Sequence, residues 1–348
     1  MLKQYEDKLY GCRFCPMCKP ANEVANLTLF ESHSTRARAM LLWRISQGMI
    51  QWTPRAVELL YESTLDSISE AWCVSHYPVS SYVLAARADV YAAGLAPSAV
   101  QPALPTAPQV DLIAKTGDIL LLACEIAEWG DPELAELALR ILARAGQNAQ
   151  SVHADSGATA YSLGALDTAR QHAEQIDRVI RDSGAQMVIA DSPQTLWALR
   201  CVYPALGVNL PDNVRIVSLL EHLAEAHSTG ALTITPITGT RALIHDSRSA
   251  ALLADALPKA EVIQPGFVGD ESKLGSGSIY DAPRVLLQAL GVESVFSVWT
   301  RALSRSSGAD DGLWRTYPVL AEGLARHRLQ HASELGADRV ITDSPLQA

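Results

Sequence analysis

Gly184-Ala185-Gln186-Met187-Val188-Ile189-Ala190-Asp191-Ser192-Pro193 recurs 152 residues further on as Gly336-Ala337-Asp338-Arg339-Val340-Ile341-Thr342-Asp343-Ser344-Pro345. In each copy a glycine suited to ending a helix leads into a short apolar run of strand type, and an Asp-Ser-Pro turn closes it. Upstream, Ser156-Gly157 has a counterpart in Ser307-Gly308 at nearly the same interval. Two motifs repeated at one spacing mark an internal duplication, so the chain is expected to carry two homologous lobes, 111–230 and 231–348, packed as a pseudo-twofold pair. Around the first copy, strand-like runs at 118–124, before Val152 and at 187–190 alternate with helical patterns at 132–145, 166–182 and 195–203. That alternation predicts α/β architecture with a parallel or mixed sheet.

A chain of 348 residues exceeds one ordinary core, and 48% hydrophobic with 19% charged residues is a folded composition. Ahead of the lobes, helical spacing is read over 35–47, over 54–68 with Pro54 in the first turn after Thr53, and over 80–93 before Gly94. These place a helical domain at 1–95. Four prolines, at 97, 102, 105 and 108, predict a partly extended linker over 96–110. A net charge of -10 has the wrong sign for a nucleic-acid or anionic-membrane partner. No charged start precedes a long apolar run, and the most apolar stretch, Ile119 to Ala123, is too short to cross a bilayer, which predicts a cytoplasmic protein without a transmembrane segment.

Cys12-Arg13-Phe14-Cys15-Pro16-Met17-Cys18 sets three thiols at Cys-x-x-Cys-x-x-Cys spacing, which in a reducing compartment points to metal rather than disulfide. Such a loop turns successive sulfurs inward around three corners of an iron-sulfur cubane. Asn22 stands where a ferredoxin run continues with a further cysteine, so one cluster is expected, not two. Cys73 is the other cysteine of this domain and the candidate fourth ligand, with His76 the alternative. Zinc is the competing metal, with His76 and His33 within its repertoire. Cys124 and Cys201 read as core residues.

The run Tyr10-Gly11-Cys12-Arg13-Phe14-Cys15-Pro16-Met17-Cys18, with Glu31-Ser32 and Thr35-Arg36-Ala37-Arg38-Ala39, resembles the amino-terminal domain of a family of iron-sulfur oxidoreductase subunits. These include the glycolate oxidase iron-sulfur subunit, the third subunit of anaerobic glycerol-3-phosphate dehydrogenase, and heterodisulfide reductase subunits of the cysteine-rich CCG type. Leu84-Ala85-Ala86-Arg87-Ala88 with Gly94-Leu95-Ala96-Pro97, Tyr161 to Ala169, and Ile279-Tyr280-Asp281-Ala282-Pro283-Arg284 extend the likeness through both lobes. The resemblance implies a ferredoxin-like helical domain and two CCG-type lobes. It also implies an electron-transfer subunit that passes electrons between a flavin (FAD) dehydrogenase partner and an acceptor within a hetero-oligomer. One four-iron four-sulfur (4Fe-4S) cluster would sit on Cys12, Cys15, Cys18 and Cys73. In the second ferredoxin motif Ser67, Glu70 and Tyr77 occupy three of the family's four cysteine positions, and Cys73 falls at the third.

The lobes depart from the family. Asp155-Ser156-Gly157 and Ser306-Ser307-Gly308 stand where it has Cys-Cys-Gly, Ser192-Pro193 and Ser344-Pro345 where it has cysteine before proline, and His245-Asp246 is followed by Ser247-Arg248-Ser249. Oxygen ligands do not replace thiolates around such clusters, so the lobes are expected to bind none. Asp191, Asp343, His245 and Asp246 remain as candidates for a polar crevice, in an enzyme of converted lobes, against the simpler expectation that they cap helices. A structural or assembly subunit with a stabilising metal site is the reading of another class. Gly275-Ser276-Gly277-Ser278 lacks the lysine of a phosphate loop.

Overall fold

Short apolar runs between turn residues become strands here, and the eight found among the described residues form two sheets. The computed structural model describes residues 1–65, 67–106, 110–112, 117–129, 131–254 and 271–347. The first sheet takes β1 (Asp111–Leu112), β2 (Ile119–Ala123), β3 (Ala149–His153), β4 (Met187–Ala190) and β5 (Arg215–Ser218) in the order β1-β3-β2-β4-β5. Only β1 runs antiparallel to its neighbour. The second takes β6 (Arg241–His245), β7 (Glu293–Ser294) and β8 (Arg339–Thr342) in the order β7-β6-β8, all parallel. The protein is thus mixed α/β with parallel sheets. In both sheets the earliest parallel strand lies between the next two in the sequence, and the repeated sequence forms the third parallel strand, β4 and β8.

Strand β2 explains its own continuous hydrophobicity. Leu120 and Leu122 pack into the core on one face of the sheet, Ile119 and Leu121 into the core on the other. A strand covered on both faces has no polar side to show. The repeat also recurs in backbone geometry. Gly157 (φ +75°) lies against the helix Leu166–Ser183, where an added Cβ would meet Ala169 O at 2.9 Å; Gly308 (φ +87°) lies against Pro318–Glu334, where it would meet Ala321 Cα at 2.7 Å. Both positions need a residue without a side chain and with access to positive φ.

Several local expectations are revised. The run 118–124 ends as a strand at Ala123, and Cys124 opens the helix Cys124–Trp129, too short to declare itself by periodicity. The helix expected over 54–68 divides into Pro54–Tyr61 and Ile68–Trp72, and that expected over 195–203 runs through Pro193–Trp197, a π-helical turn at Ala198–Val202 and Tyr203–Ala205. The stretch 96–106 is no extended spacer: Val100 and Ala103 lie on one face of the helix Val100–Ala103 and are buried in the amino-terminal core. Pro108 lies outside the described residues.

The helical part is also not separated from the lobes. Its core includes Leu163, and Arg87, buried, donates to Leu60 O at 2.8 Å, Ser63 O at 2.7 Å and, across the boundary, Ser162 O at 2.8 Å. Tyr61 donates to Leu163 O at 3.1 Å. Gly164 (φ +86°) permits this approach, since a Cβ there would stand 2.6 Å from Arg87 O. Ala21, Ile68 and Ala71 share a cluster with Leu274 and Leu303, and Val24 shares one with Leu313, Ala321 and Leu324. Among the described residues no helix is long and apolar enough to cross a membrane.

Candidate metal centre

The cysteine loop follows the short helix Glu6–Leu9 and precedes the turn Lys19–Ala21; Cys73 follows Ile68–Trp72. Leu9 and Tyr77 bring these segments together, because the buried Tyr77 hydroxyl donates to Leu9 O at 2.9 Å. Cys18 is buried, Cys12 and Cys73 are half-buried, and Cys15 is exposed. The sulfurs share one neighbourhood. Burial raises the Cys12 thiol pKa, and the charges of Cys73 and Cys15 raise it further, against the N–H of Phe14, which donates to Cys12 Sγ at 3.4 Å. Burial likewise raises Cys18, with added charge from Cys12 and Cys73.

Cys73 differs. Burial raises its pKa but is outweighed by the Ser75 hydroxyl, 3.3 Å from Sγ, and by the backbone N–H groups of Tyr77, Ser75 and His76, so the net direction is down. A left-handed residue at His76 (φ +46°) folds that turn of amides round the sulfur, and Phe14 (φ +53°) does the same for Cys12. Such amide nests hold anionic sulfur. Arg36 ties the loop to the helix Thr35–Ser46, pairing with Glu31 and reaching Phe14 O at 3.5 Å. Neither the nest nor Arg36 was signalled by cysteine spacing; the positive φ at Phe14 and His76 is a tertiary outcome.

As the side chains stand, no three His, Cys, Asp or Glu groups among the described residues are arranged to hold a metal ion. The donor chemistry nevertheless fits an iron-sulfur cluster: four thiols, with backbone amides directed at three of them, Cys12, Cys18 and Cys73. His33 does not belong to this set. Its Nδ1 lies 2.6 Å from Thr28 Oγ1 and its Nε2 2.7 Å from Glu62 Oε2, so both ring nitrogens are engaged elsewhere. His76 is exposed, with Nδ1 3.2 Å from Glu70 O. Cys124 is buried in the first lobe; Cys201 is exposed rather than core, contrary to the helix-packing expectation.

The lobe candidates occupy structural roles. Asp191 accepts the N–H of Ile126, at the start of the helix after β2, at 2.9 Å and the Thr195 hydroxyl at 2.6 Å. Asp343 accepts the N–H of Ser247, at the start of the helix after β6, at 3.0 Å. Each repeat aspartate therefore caps the helix that follows the strand paired with its own, β2 or β6, not the helix that follows itself. Burial pushes Asp191 up to about 6 and Asp343 to about 8, the latter with help from Asp246 and Asp310. Ser192 caps its own helix through Thr195 N, whereas Ser344 donates across the lobe boundary to Glu125 at 2.7 Å. Asp246 is an anchor: burial opposes its charge, but Arg284 at 2.8 and 2.9 Å holds it at about 2. His245 is kept neutral by burial and by Arg328, whose Nε donates to it at 3.1 Å.

Comparison with family models, with curated proteins and with solved structures finds no match for this chain.

Proposed function

We propose that the protein is an iron-sulfur electron-transfer subunit that carries one 4Fe-4S cluster on Cys12, Cys15, Cys18 and Cys73. The observation that carries this reading is the approach of the Cys73 segment to the Cys12–Cys18 loop, tied by Tyr77 to Leu9 O at 2.9 Å, with the amides of Phe14, Ser75, His76 and Tyr77 turned toward sulfur. A bound cluster supplies one-electron transfer, and its potential is tuned by burial and by hydrogen bonds to sulfur. The chain's own part is to hold four thiolates, offer amides to them and leave one edge open. Cys15 and the neighbouring Tyr10, Met17 and Val74 are exposed, as exchange with a docked partner requires. That partner, by the family resemblance, is a flavoprotein dehydrogenase in a cytoplasmic hetero-oligomer.

The matching strand order and the paired glycine and aspartate contacts support reading the lobes as a duplicated, pseudo-twofold pair that has lost cluster binding, behind a ferredoxin-like helical domain. Asp191, Asp343 and Ser192 cap helices, Ser344 bonds across to the other lobe and Asp246 anchors Arg284, which supports lobes that position the cluster domain and partner rather than perform chemistry. The test is anaerobic reconstitution with iron and sulfide analysis. Roughly four irons and four acid-labile sulfides per chain, lost in Cys15→Ser, are expected. Zinc in their place would establish a structural metal site, and the absence of any metal would remove the electron-transfer reading.

A further inference from the structure

A large cleft lies away from the cysteines, where the helical part meets the second lobe. It holds about 600 Å³, within the range of small-molecule sites. One wall is Leu27; the other is the first turn of Pro318–Glu334, with Tyr317, Pro318, Val319 and Leu320. Close approach of the walls below the cleft depends on Gly323, where a Cβ would stand 2.7 Å from Leu27 Cδ2. One end is polar: Thr28, His33 and Glu62 line it in a connected row, Thr28 Oγ1 to His33 Nδ1 at 2.6 Å and His33 Nε2 to Glu62 Oε2 at 2.7 Å, and Arg55 donates to Glu62 Oε1 at 2.9 Å.

We propose that this cleft binds an uncharged, mostly apolar small molecule that presents a hydroxyl or N–H group to Glu62. The volume and the Leu, Val and Pro walls set the apolar body. The polar end sets the head group. A carboxylate has about four acceptor sites, of which the described bonds use two, so a ligand donor has somewhere to bind. Burial disfavours ionised Glu62, but His33 and Arg55 outweigh it and hold it at about 2, so it is negative at neutral pH. The guanidiniums of Arg55 and of Arg38, which donates to Glu62 O at 3.1 Å, are not among the residues lining the cleft, so the Glu62 carboxylate is the acidic group that meets a ligand. An anionic head group is therefore repelled, and a neutral donor is accepted.

The proposal stands apart from the iron-sulfur reading and is tested on the full chain whether or not a cluster is present. N-phenyl-1-naphthylamine, a neutral arylamine with one N–H, is titrated by fluorescence and displaced with 1-octanol or octanoate. Saturable single-site binding is expected, with octanol displacing at least about tenfold better than octanoate, equivalent to about 1.4 kcal/mol. Val319 is 83% exposed, so Val319→Arg leaves the fold intact while filling the mouth, and it should weaken probe binding at least about tenfold. Glu62→Gln should bring octanol and octanoate to within about threefold of each other. Absence of saturable binding, equal displacement by both competitors, or undiminished binding by a folded Val319→Arg would each overturn the proposal. So would self-association that Val319→Arg abolishes while the probe fails to bind, because a second copy would then occupy the cleft.

Discussion

Replacing Asp343 by Asn isolates a single buried proton. The carboxyl is buried at the end of β8 and faces Asp246 and Asp310, which together push it from 3.8 up to about 8. The Ser247 N–H, 3.0 Å away, and the Ser247 hydroxyl oppose that rise without cancelling it. Between those two values the folded protein keeps a proton that the unfolded chain has released. A raised carboxyl contributes stability that is fully present below pH 3.8 and is lost as pH rises through about 8. The slope is about 1.4 kcal/mol per pH unit, so wild type should lose up to about 2.7 kcal/mol from this group between pH 5 and pH 7. Asn stays neutral and its carbonyl still accepts from Ser247, so Asp343→Asn should escape that loss. Urea midpoints of both proteins at pH 5, 6 and 7, compared as differences, measure it, since every other titrating group is shared. The variant should gain on wild type by about 2–3 kcal/mol over this range. Parallel pH profiles would show that Asp343 is ionised in the folded protein and that its burial is relieved by contacts other than these.

Asp191→Asn should behave in the same sense over a narrower window, its gain complete by about pH 6 where the folded carboxyl titrates, read in the same denaturation series. Arg87→Met strands the carbonyls of Leu60, Ser63 and Ser162 and should cost about 3–5 kcal/mol by chemical denaturation, loosening the helical part and the first lobe together. If only the helical part melts, the shared core assigned to that boundary is wrong. Gly308→Ala meets backbone at positive φ and should destabilise by roughly 2–4 kcal/mol, more than Gly157→Ala, whose contacts are slightly longer. Equal and negligible costs would remove the argument that both glycines are required by helix approach. Cys73→Ser should abolish four-iron incorporation without lowering the melting temperature of the metal-free protein, since that thiol is only half-buried.

The sequence by itself determined the features that one segment can specify. The covered strand β2 is legible because five successive apolar residues leave no polar face, and the helices Thr35–Ser46, Pro132–Arg144 and Leu166–Ser183 because caps and spacing are local. The repeat at 184–193 and 336–345 identified β4 and β8 before any contact was known, and the cysteine spacing marked the candidate centre. What tertiary structure decided is where partners come from. No spacing rule shows that Asp191 and Asp343 reach back to the helix after an earlier strand, that His33 turns to Thr28 and Glu62 instead of the cysteines, or that Val100 and Ala103 draw a proline-rich stretch into a core. Polar side chains are satisfied by whichever donor packing brings near, and buried faces by whichever surface closes on them. Most of those neighbours lie tens of residues away, so their identity belongs to the folded chain.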